Sequence, residues 1–199
     1  MGRVLLGVLL ALAIAPICVL GWLRFGHPPV AVGDAPLPSE DKLTGMALSA
    51  RIAAEQPKTA SPAADEANLV AGAEIYRDRC AACHGYSNKL VPFAAKMSPA
   101  APQLWQARKG GGVGVSGEPA AEIYWKIANG IRWTGMPAHK DMLSSQEIWQ
   151  VSLLVAGADK PLPPAALKIL RPQPGGIEGL NSQLPDPLAG QADRAGNGQ

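Results

Sequence analysis

The sequence predicts an all-α protein: a small helical domain that follows an N-terminal transmembrane helix and precedes a disordered C-terminal tail. Apolar residues between positions 68 and 158 recur at helical spacings, which favours helices over strands. Helix start and stop signals border the segments that have this spacing. The 19 Pro and 22 Gly of the 199 residues concentrate outside that middle region, so we expect one small domain plus appendages.

The N-terminal segment, residues 1–25, is predicted to be a transmembrane signal-anchor. Residues 4–23 carry no charged side chain, and a helix of that length spans about 30 Å, the thickness of the hydrocarbon core of a bilayer. Arg3 precedes this run, and Trp22 and Arg24 lie at its end, where interfacial anchors belong. The sequence therefore predicts a single pass through a membrane.

A cleaved signal peptide is the alternative for the same segment. The apolar run is longer than the roughly 7–15 residues that are usual in signal peptides. A small-x-small site at residues 13–15 would be cut before Pro16, which is a poor position for a peptidase. Cys18 follows the bulky Ile17, which argues against a lipoprotein signal. The length of the run favours the anchor.

Two Pro-rich segments flank the predicted domain. Residues 26–67 are interpreted as a Pro/Ala-rich linker that gives a tethered domain reach, although residues 43–55 could form a short helix. Residues 159–199 are interpreted as a Pro/Gly-rich tail that is mostly disordered. Residues 165–170 in this tail could form one or two helical turns, which either pack on the domain or dock a partner.

Three helices are predicted in the domain, and each has a recognisable start or stop. They cover residues 68–78, 118–129 and 148–155. The second has Pro119 in its first turn and Gly130 just past its end, as helices prefer. A capping box from Ser144 to Glu147 precedes the third. Since a domain of this size is marginal on its core alone, a buried cofactor would supply much of its interior.

The motif that carries the chemistry is Cys80-Ala81-Ala82-Cys83-His84. Cys-x-x-Cys-His is the attachment pattern of c-type haem, since two thiols one helical turn apart can each form a thioether to a haem vinyl group. The imidazole of His84 then reaches the iron. A thioredoxin-like pair would need an α/β context, and a zinc site would need two further ligands with paired spacing. We therefore predict one covalently bound haem c.

Residues 68–158 resemble a class I monohaem cytochrome c, of the kind found in membrane-anchored bacterial c-type cytochromes. The resemblance is carried by motifs in the order of that family. After Cys80–His84 come Ala101-Pro102-Gln103-Leu104, then Asn129-Gly130 and Thr134-Gly135-Met136-Pro137. It implies a small cytochrome c fold around one covalent haem, with residues 68–158 as the cytochrome c domain.

The resemblance also implies a set of site residues. The haem-binding residues would be Cys80, Cys83, His84, Met136, Pro102 and Leu104, with His84 and Met136 as the iron ligands. The carbonyl of Pro102 would accept a hydrogen bond from the Nδ1–H of His84, and Leu104 would pack on the haem. Gly72 would let the first helix approach the last one closely, near Val151.

Several other residues receive a plainer interpretation. His139 could replace Met136 as a ligand, but an exposed loop residue is favoured. Trp125 or Trp133 could donate to a haem propionate, although core or haem-edge packing is the simpler expectation. Arg132 could pair with a propionate, and exposure is as good an expectation. Residues 109–117 lack the ending of a phosphate loop and are expected to be flexible.

These features predict an electron carrier and not an enzyme: iron that cycles between two redox states in a respiratory chain, with redox proteins as partners. A formal charge of +2 is too weak to indicate nucleic acid. Haem attachment outside the bacterial cytoplasm, which the resemblance implies, orients the haem domain toward the periplasm from the inner membrane. Two alternatives stay open: a haem-containing subunit of an oxidase or dehydrogenase complex, or a haem peroxidase-like enzyme if Met136 is not a stable ligand.

Overall fold

The computed structural model describes residues 1–172, which form helices joined by loops. The helices are α1 (Gly2–Phe25), α2 (Glu40–Glu55), α3 (Glu66–Arg79), α4 (Ala81–His84), a 3-10 helix (Pro92–Lys96), α5 (Ala120–Asn129), α6 (Ser145–Ala156) and α7 (Pro164–Ile169). Pairing of extended chain within these residues is limited to two isolated bridges. The predicted all-α fold class is confirmed, and the chain divides between Gly45 and Met46 into two compact units.

The first unit contains α1, in which no side chain is buried. The helix continues through Pro16 and ends where the backbone N–H of Gly26 donates to the carbonyl of Trp22 at 2.7 Å. Its most apolar 18-residue window has a mean hydropathy of 2.8. It is long and apolar enough to cross a membrane, and a signal sequence near an N-terminus has the same properties.

The second unit is organised around the packing of α3 on α6. A side chain at Gly72 would lie 2.7 Å from the backbone carbonyl carbon of Gln150, so only glycine allows the two backbones to come this close. Tyr76 and Leu154 are fully buried at the same interface. Gln150 also donates to the side-chain oxygen of Asn68 at 3.1 Å. This crossing is the one that the resemblance implies for Gly72.

The helix ends follow the local signals in the sequence. The carboxylate of Asp65 accepts from the N–H of Asn68 and caps α3, and Gly130 ends α5 with a φ of 66°. Both bonds of the predicted capping box are present at α6. The hydroxyl of Ser144 accepts from the Glu147 N–H at 3.3 Å, and the Glu147 carboxylate accepts from the Ser144 N–H at 2.7 Å.

The beginning of the predicted tail is folded onto the domain. Helix α7 packs on α3, and Ala166 and Leu170 are completely buried. The carbonyl of Leu170 accepts from the N–H and the hydroxyl of Ser87 at 3.1 and 3.2 Å. Of the two roles considered for residues 165–170, the structure therefore shows packing on the domain. The disorder predicted for residues 173–199 lies outside the described residues.

Candidate haem-binding site

The second unit encloses one large, mainly apolar cavity of about 480 Å³. All six site residues expected from the sequence line it: Cys80, Cys83, His84, Pro102, Leu104 and Met136. They come from three places in the chain, namely the end of α3 with α4, the loop after the 3-10 helix, and the loop between α5 and α6. The fold thus brings together residues that are up to 56 positions apart.

Local helical structure positions the two thiols and His84. The N–H of Cys80 closes α3 by donating to Tyr76 at 2.9 Å. The carbonyl of Cys80 then accepts from the N–H groups of Cys83 and His84 at 3.1 and 2.9 Å. Cys83 therefore follows Cys80 by one helical turn, and His84 comes directly after it. This is the spacing that two thioether bonds and one axial ligand need on a single haem.

His84 is held in one tautomer. Its Nδ1 lies 2.8 Å from the carbonyl oxygen of Pro102, and because a carbonyl can only accept, Nδ1 carries the proton. Burial lowers the pKa of His84, against the opposing effect of the Pro102 carbonyl. The neutral ring therefore keeps the lone pair on Nε2 available for a metal, which is the usual arrangement of an iron-ligating histidine.

Gln103 ties the Pro102 segment to the motif. Its side-chain amide donates to the carbonyl of Cys83 at 3.0 Å, and its side-chain oxygen accepts from the N–H of Val91 at 2.9 Å. The N–H of Leu104 donates to the carbonyl of His84 at 3.0 Å. From the sequence, Gln103 was assigned to the family motif without a role. Its polar side chain between Pro102 and Leu104 was the signal that it could hold this segment by hydrogen bonds.

Met136 lies half-buried in a loop that is closed by local hydrogen bonds. The hydroxyl of Thr134 donates to Ile131 at 2.7 Å and accepts from the N–H of Met136 at 3.1 Å. A side chain at Gly130 would lie 2.7 Å from the backbone of Pro137, so the loop needs glycine there. Trp133 also has a positive φ of 65°, which is unusual for a large side chain.

Met97 and His139 are among the cavity residues that were not assigned to the site from the sequence. Met97 lines the cavity, and its methyl group lies against Gly135, next to Met136. His139 also lines the cavity and is 6% exposed, so the prediction of an exposed loop residue was wrong. The Nδ1 of His139 lies 3.3 Å from the carbonyl of Ile127, which ties the end of the methionine loop to α5. Neither residue has a sequence pattern that reveals this position.

The chemistry of the thiols does not resemble that of a redox-active pair. Cys80 and Cys83 are not joined by a disulfide. Burial, with a smaller contribution from the neighbouring Cys83, raises the pKa of the Cys80 thiol to about 12. Reactive cysteines have lowered pKa values, so a thioredoxin-like role is not supported. Two thiols at a mainly apolar wall fit covalent attachment of an apolar macrocycle.

Basic side chains line the cavity and could neutralise the carboxylates of a bound haem. Arg79, Arg108 and Lys126 all line it. The ammonium group of Lys126 already pairs with Glu118 at 2.7 Å and Glu122 at 2.9 Å, which leaves the two arginines better placed for a further anion. Arg132 instead lies over the ring of Trp133 at 5.3 Å, outside the cavity lining.

The two tryptophans considered as propionate donors have other environments. The indole N–H of Trp125 donates to the carboxylate of Glu55 at 3.1 Å, so it is already satisfied. Trp133 is 83% exposed. Neither tryptophan lines the cavity.

The residues of the cavity fit a haem: a motif of two thiols, a neutral histidine in the ligating tautomer, and thioether groups contributed by a separate loop. The family model described as cytochrome c oxidase, cbb3-type, subunit III matches residues 67–153, a range that contains the motif and the methionine loop and leaves out α2 and α7. No curated protein and no solved structure matched the chain. The chain therefore carries, at residues 67–153, a c-type cytochrome domain of that family, which implies a haem c and haem-based electron transfer.

Proposed function

We propose that this protein is a membrane-tethered monohaem c-type cytochrome that transfers single electrons between redox proteins at the periplasmic face of a bacterial membrane. The observation that carries the proposal is the meeting of His84 and Met136 at one cavity whose wall also contains Cys80 and Cys83. A haem bound there supplies reversible one-electron chemistry at its iron. The thiols would add across its two vinyl groups to form thioethers, a reaction that loses no atom.

We propose that His84 and Met136 would both ligate the iron of a bound haem. An iron held by two protein ligands would bind no substrate, which favours a carrier over an enzyme. A thioether ligand also raises the redox potential relative to a second histidine, which suits the oxidising end of a respiratory chain. Arg79 and Arg108 would neutralise the haem carboxylates.

The membrane assignment rests on α1. Its 24 residues would extend about 36 Å as a helix, more than the hydrocarbon core of a bilayer requires. Arg24 lies in its last turn, at the interfacial position. We propose that the segment is retained as a single-pass anchor in the inner membrane and that the cytochrome domain lies on the periplasmic side.

One measurement tests both the cofactor and the anchor. The intact mass of the protein, purified from membranes and fully denatured, should equal that of the whole chain plus one haem. A mass without haem would contradict covalent attachment, and a mass lacking the first residues would contradict the anchor.

The haem-loaded protein should then take up and release one electron reversibly in a spectroelectrochemical titration. Turnover of hydrogen peroxide by the native protein would instead favour the peroxidase-like alternative.

A second candidate is an electron-transfer subunit of a larger complex. It is favoured by the description of the matching family, which names a subunit of an oxidase. The first 172 residues should suffice for haem binding, since Ala166 and Leu170 complete the core. Removing residues 173–199 should therefore leave the haem spectrum unchanged. If co-purification with an oxidase is lost in that variant, the subunit role gains support; if no complex co-purifies with the full chain, it is contradicted.

A further inference from the structure

The second half of α2 lies outside the matched family region and yet reaches the cavity. Leu48, on this helix, is one of the cavity-lining residues. Ile52 is 3% exposed, although Arg51 and Ala53 beside it are exposed. A side chain on a helix in solvent cannot be buried to this degree, so the face of the helix that carries Ile52 is packed on the rest of its unit.

Three residues of this helix form one stripe. Leu48, Ile52 and Glu55 are spaced i, i+4 and i+7, so their side chains lie on the same face. Leu48 lines the cavity, Ile52 is buried, and Glu55 accepts a hydrogen bond from the indole N–H of Trp125 at 3.1 Å. Met46 belongs to the same helix but is 69% exposed, so only this stripe is committed to packing.

Trp125 provides the attachment point. Its side chain is 9% exposed, and a buried indole N–H that loses its acceptor is costly. Trp125 lies on α5 between Ile123 and Ile127, both of which line the cavity. The bond to Glu55 therefore joins the helix that carries Leu48 to the helix that forms one wall of the site.

We propose that residues 48–55 are part of the haem-binding wall, with Leu48 in contact with the haem and with Ile52 and Glu55 holding the helix in place. This inference rests on the proposed function. The segment is then more than a linker, because it excludes water from the part of the haem that it covers. Water and nearby anions stabilise the more highly charged ferric state, so covering the site raises the redox potential. Covering also slows direct reduction by small soluble molecules.

The test compares two carboxylates placed on the same helix of the haem-loaded full-length protein. Ile52→Asp puts a charge at the buried position and should release the helix. Met46→Asp adds the same charge at an exposed position and serves as the matched control. We expect Ile52→Asp to lower the midpoint potential and to increase the rate of reduction by ascorbate several-fold. The Met46→Asp variant should match the unmodified protein in both quantities.

Two milder variants keep the test decisive if Ile52→Asp yields no haem-loaded protein. Leu48→Ala removes the side chain at the cavity without disturbing the attachment, and Trp125→Phe removes the bond to Glu55 while keeping a ring. Both should shift the potential and the ascorbate rate in the same direction, by less. If Leu48→Ala leaves both at the values of the unmodified protein, the proposal is overturned.

The failure of this inference differs from failure of the proposed function. If the unmodified protein shows no reversible one-electron change, the carrier role itself is wrong, whatever the variants do. If it does show that change while the Ile52→Asp and Met46→Asp variants behave alike, only the role of residues 48–55 is contradicted.

Discussion

The two sides of the cavity differ in how the protein holds them. On the His84 side, the hydrogen bonds are long-range and come from one distant segment, residues 102–104. The carbonyl of Pro102 accepts from the His84 ring, the N–H of Leu104 donates to the His84 carbonyl, and the Gln103 amide donates to the carbonyl of Cys83. On the Met136 side, the bonds nearest to Met136 are short-range: the hydroxyl of Thr134 donates to the carbonyl of Ile131 and accepts from the N–H of Met136. The difference indicates that the protein itself fixes the ring of His84. The side chain of Met136 is instead placed by a short loop, which binding to the haem iron would help to hold.

The largest expected effect comes from removing the histidine. His84→Ala should abolish accumulation of haem-loaded protein, because the variant loses the axial ligand and leaves the Pro102 carbonyl without its donor. His139→Ala is the matched control, since His139 also lines the cavity. Covalent haem retained on a denaturing gel measures the outcome. Normal loading of the His84 variant, with loss in the His139 variant, would reverse our assignment of the ligand.

The next largest effect is expected when leucine replaces one of the two methionines of the cavity, Met136 or Met97. Met136→Leu should keep the covalent haem, because the thioethers and His84 remain, but it should lower the redox potential and remove the spectral evidence of sulfur ligation. Met97→Leu is nearly equal in volume and should keep both. The ferric absorption spectrum of each variant is the measurement. If the two variants exchange these behaviours, Met97 is the ligand.

Smaller effects are expected from removing the hydrogen bonds that hold each side of the cavity. Gln103→Leu leaves the Cys83 carbonyl and the Val91 N–H without partners and should lower the free energy of unfolding by about 1–3 kcal/mol. Thr134→Val removes two local bonds of the methionine loop and should cost about 1 kcal/mol, while weakening sulfur ligation more than Gln103→Leu does. Thermal unfolding and the ferric spectrum are measured together. Equal effects of the two variants on both readouts would contradict the difference between the sides.

The smallest expected effect lies away from both sides, at the start of α6. Ser144→Ala should lower the free energy of unfolding by about 1 kcal/mol at neutral pH and leave the haem spectrum unchanged.

Hydrogen bonds from Ser144 hold the pKa of Glu147 below its ordinary value of 4.5. A lowered carboxyl pKa contributes stability above the ordinary value, and that contribution is lost as the pH falls through the folded-state pKa. The unmodified and Ser144→Ala proteins should therefore approach each other in stability as the pH falls below 4.5, and a constant gap would argue against this coupling.

How far the sequence predicts the molecule depends on whether the signal is local. Helix ends were predicted because Gly130, Pro119 and the capping box of α6 act within one turn. The Cys80–His84 motif is equally local. Met97, His139 and Leu48 were not assigned to the cavity, because their positions depend on how loops and α2 pack in three dimensions. Helix α7 also depends on packing in three dimensions, because its Pro-rich sequence has no local signal that predicts the complete burial of Leu170.

The proposed electron-carrier role depends on ligation of one haem iron by both His84 and Met136. The visible spectrum of the oxidised, unmodified protein at neutral pH tests this ligation. We expect a low-spin ferric haem with the weak far-red charge-transfer band of thioether ligation. A high-spin spectrum without that band would contradict it, because the Met136 side would then leave an open position on the iron.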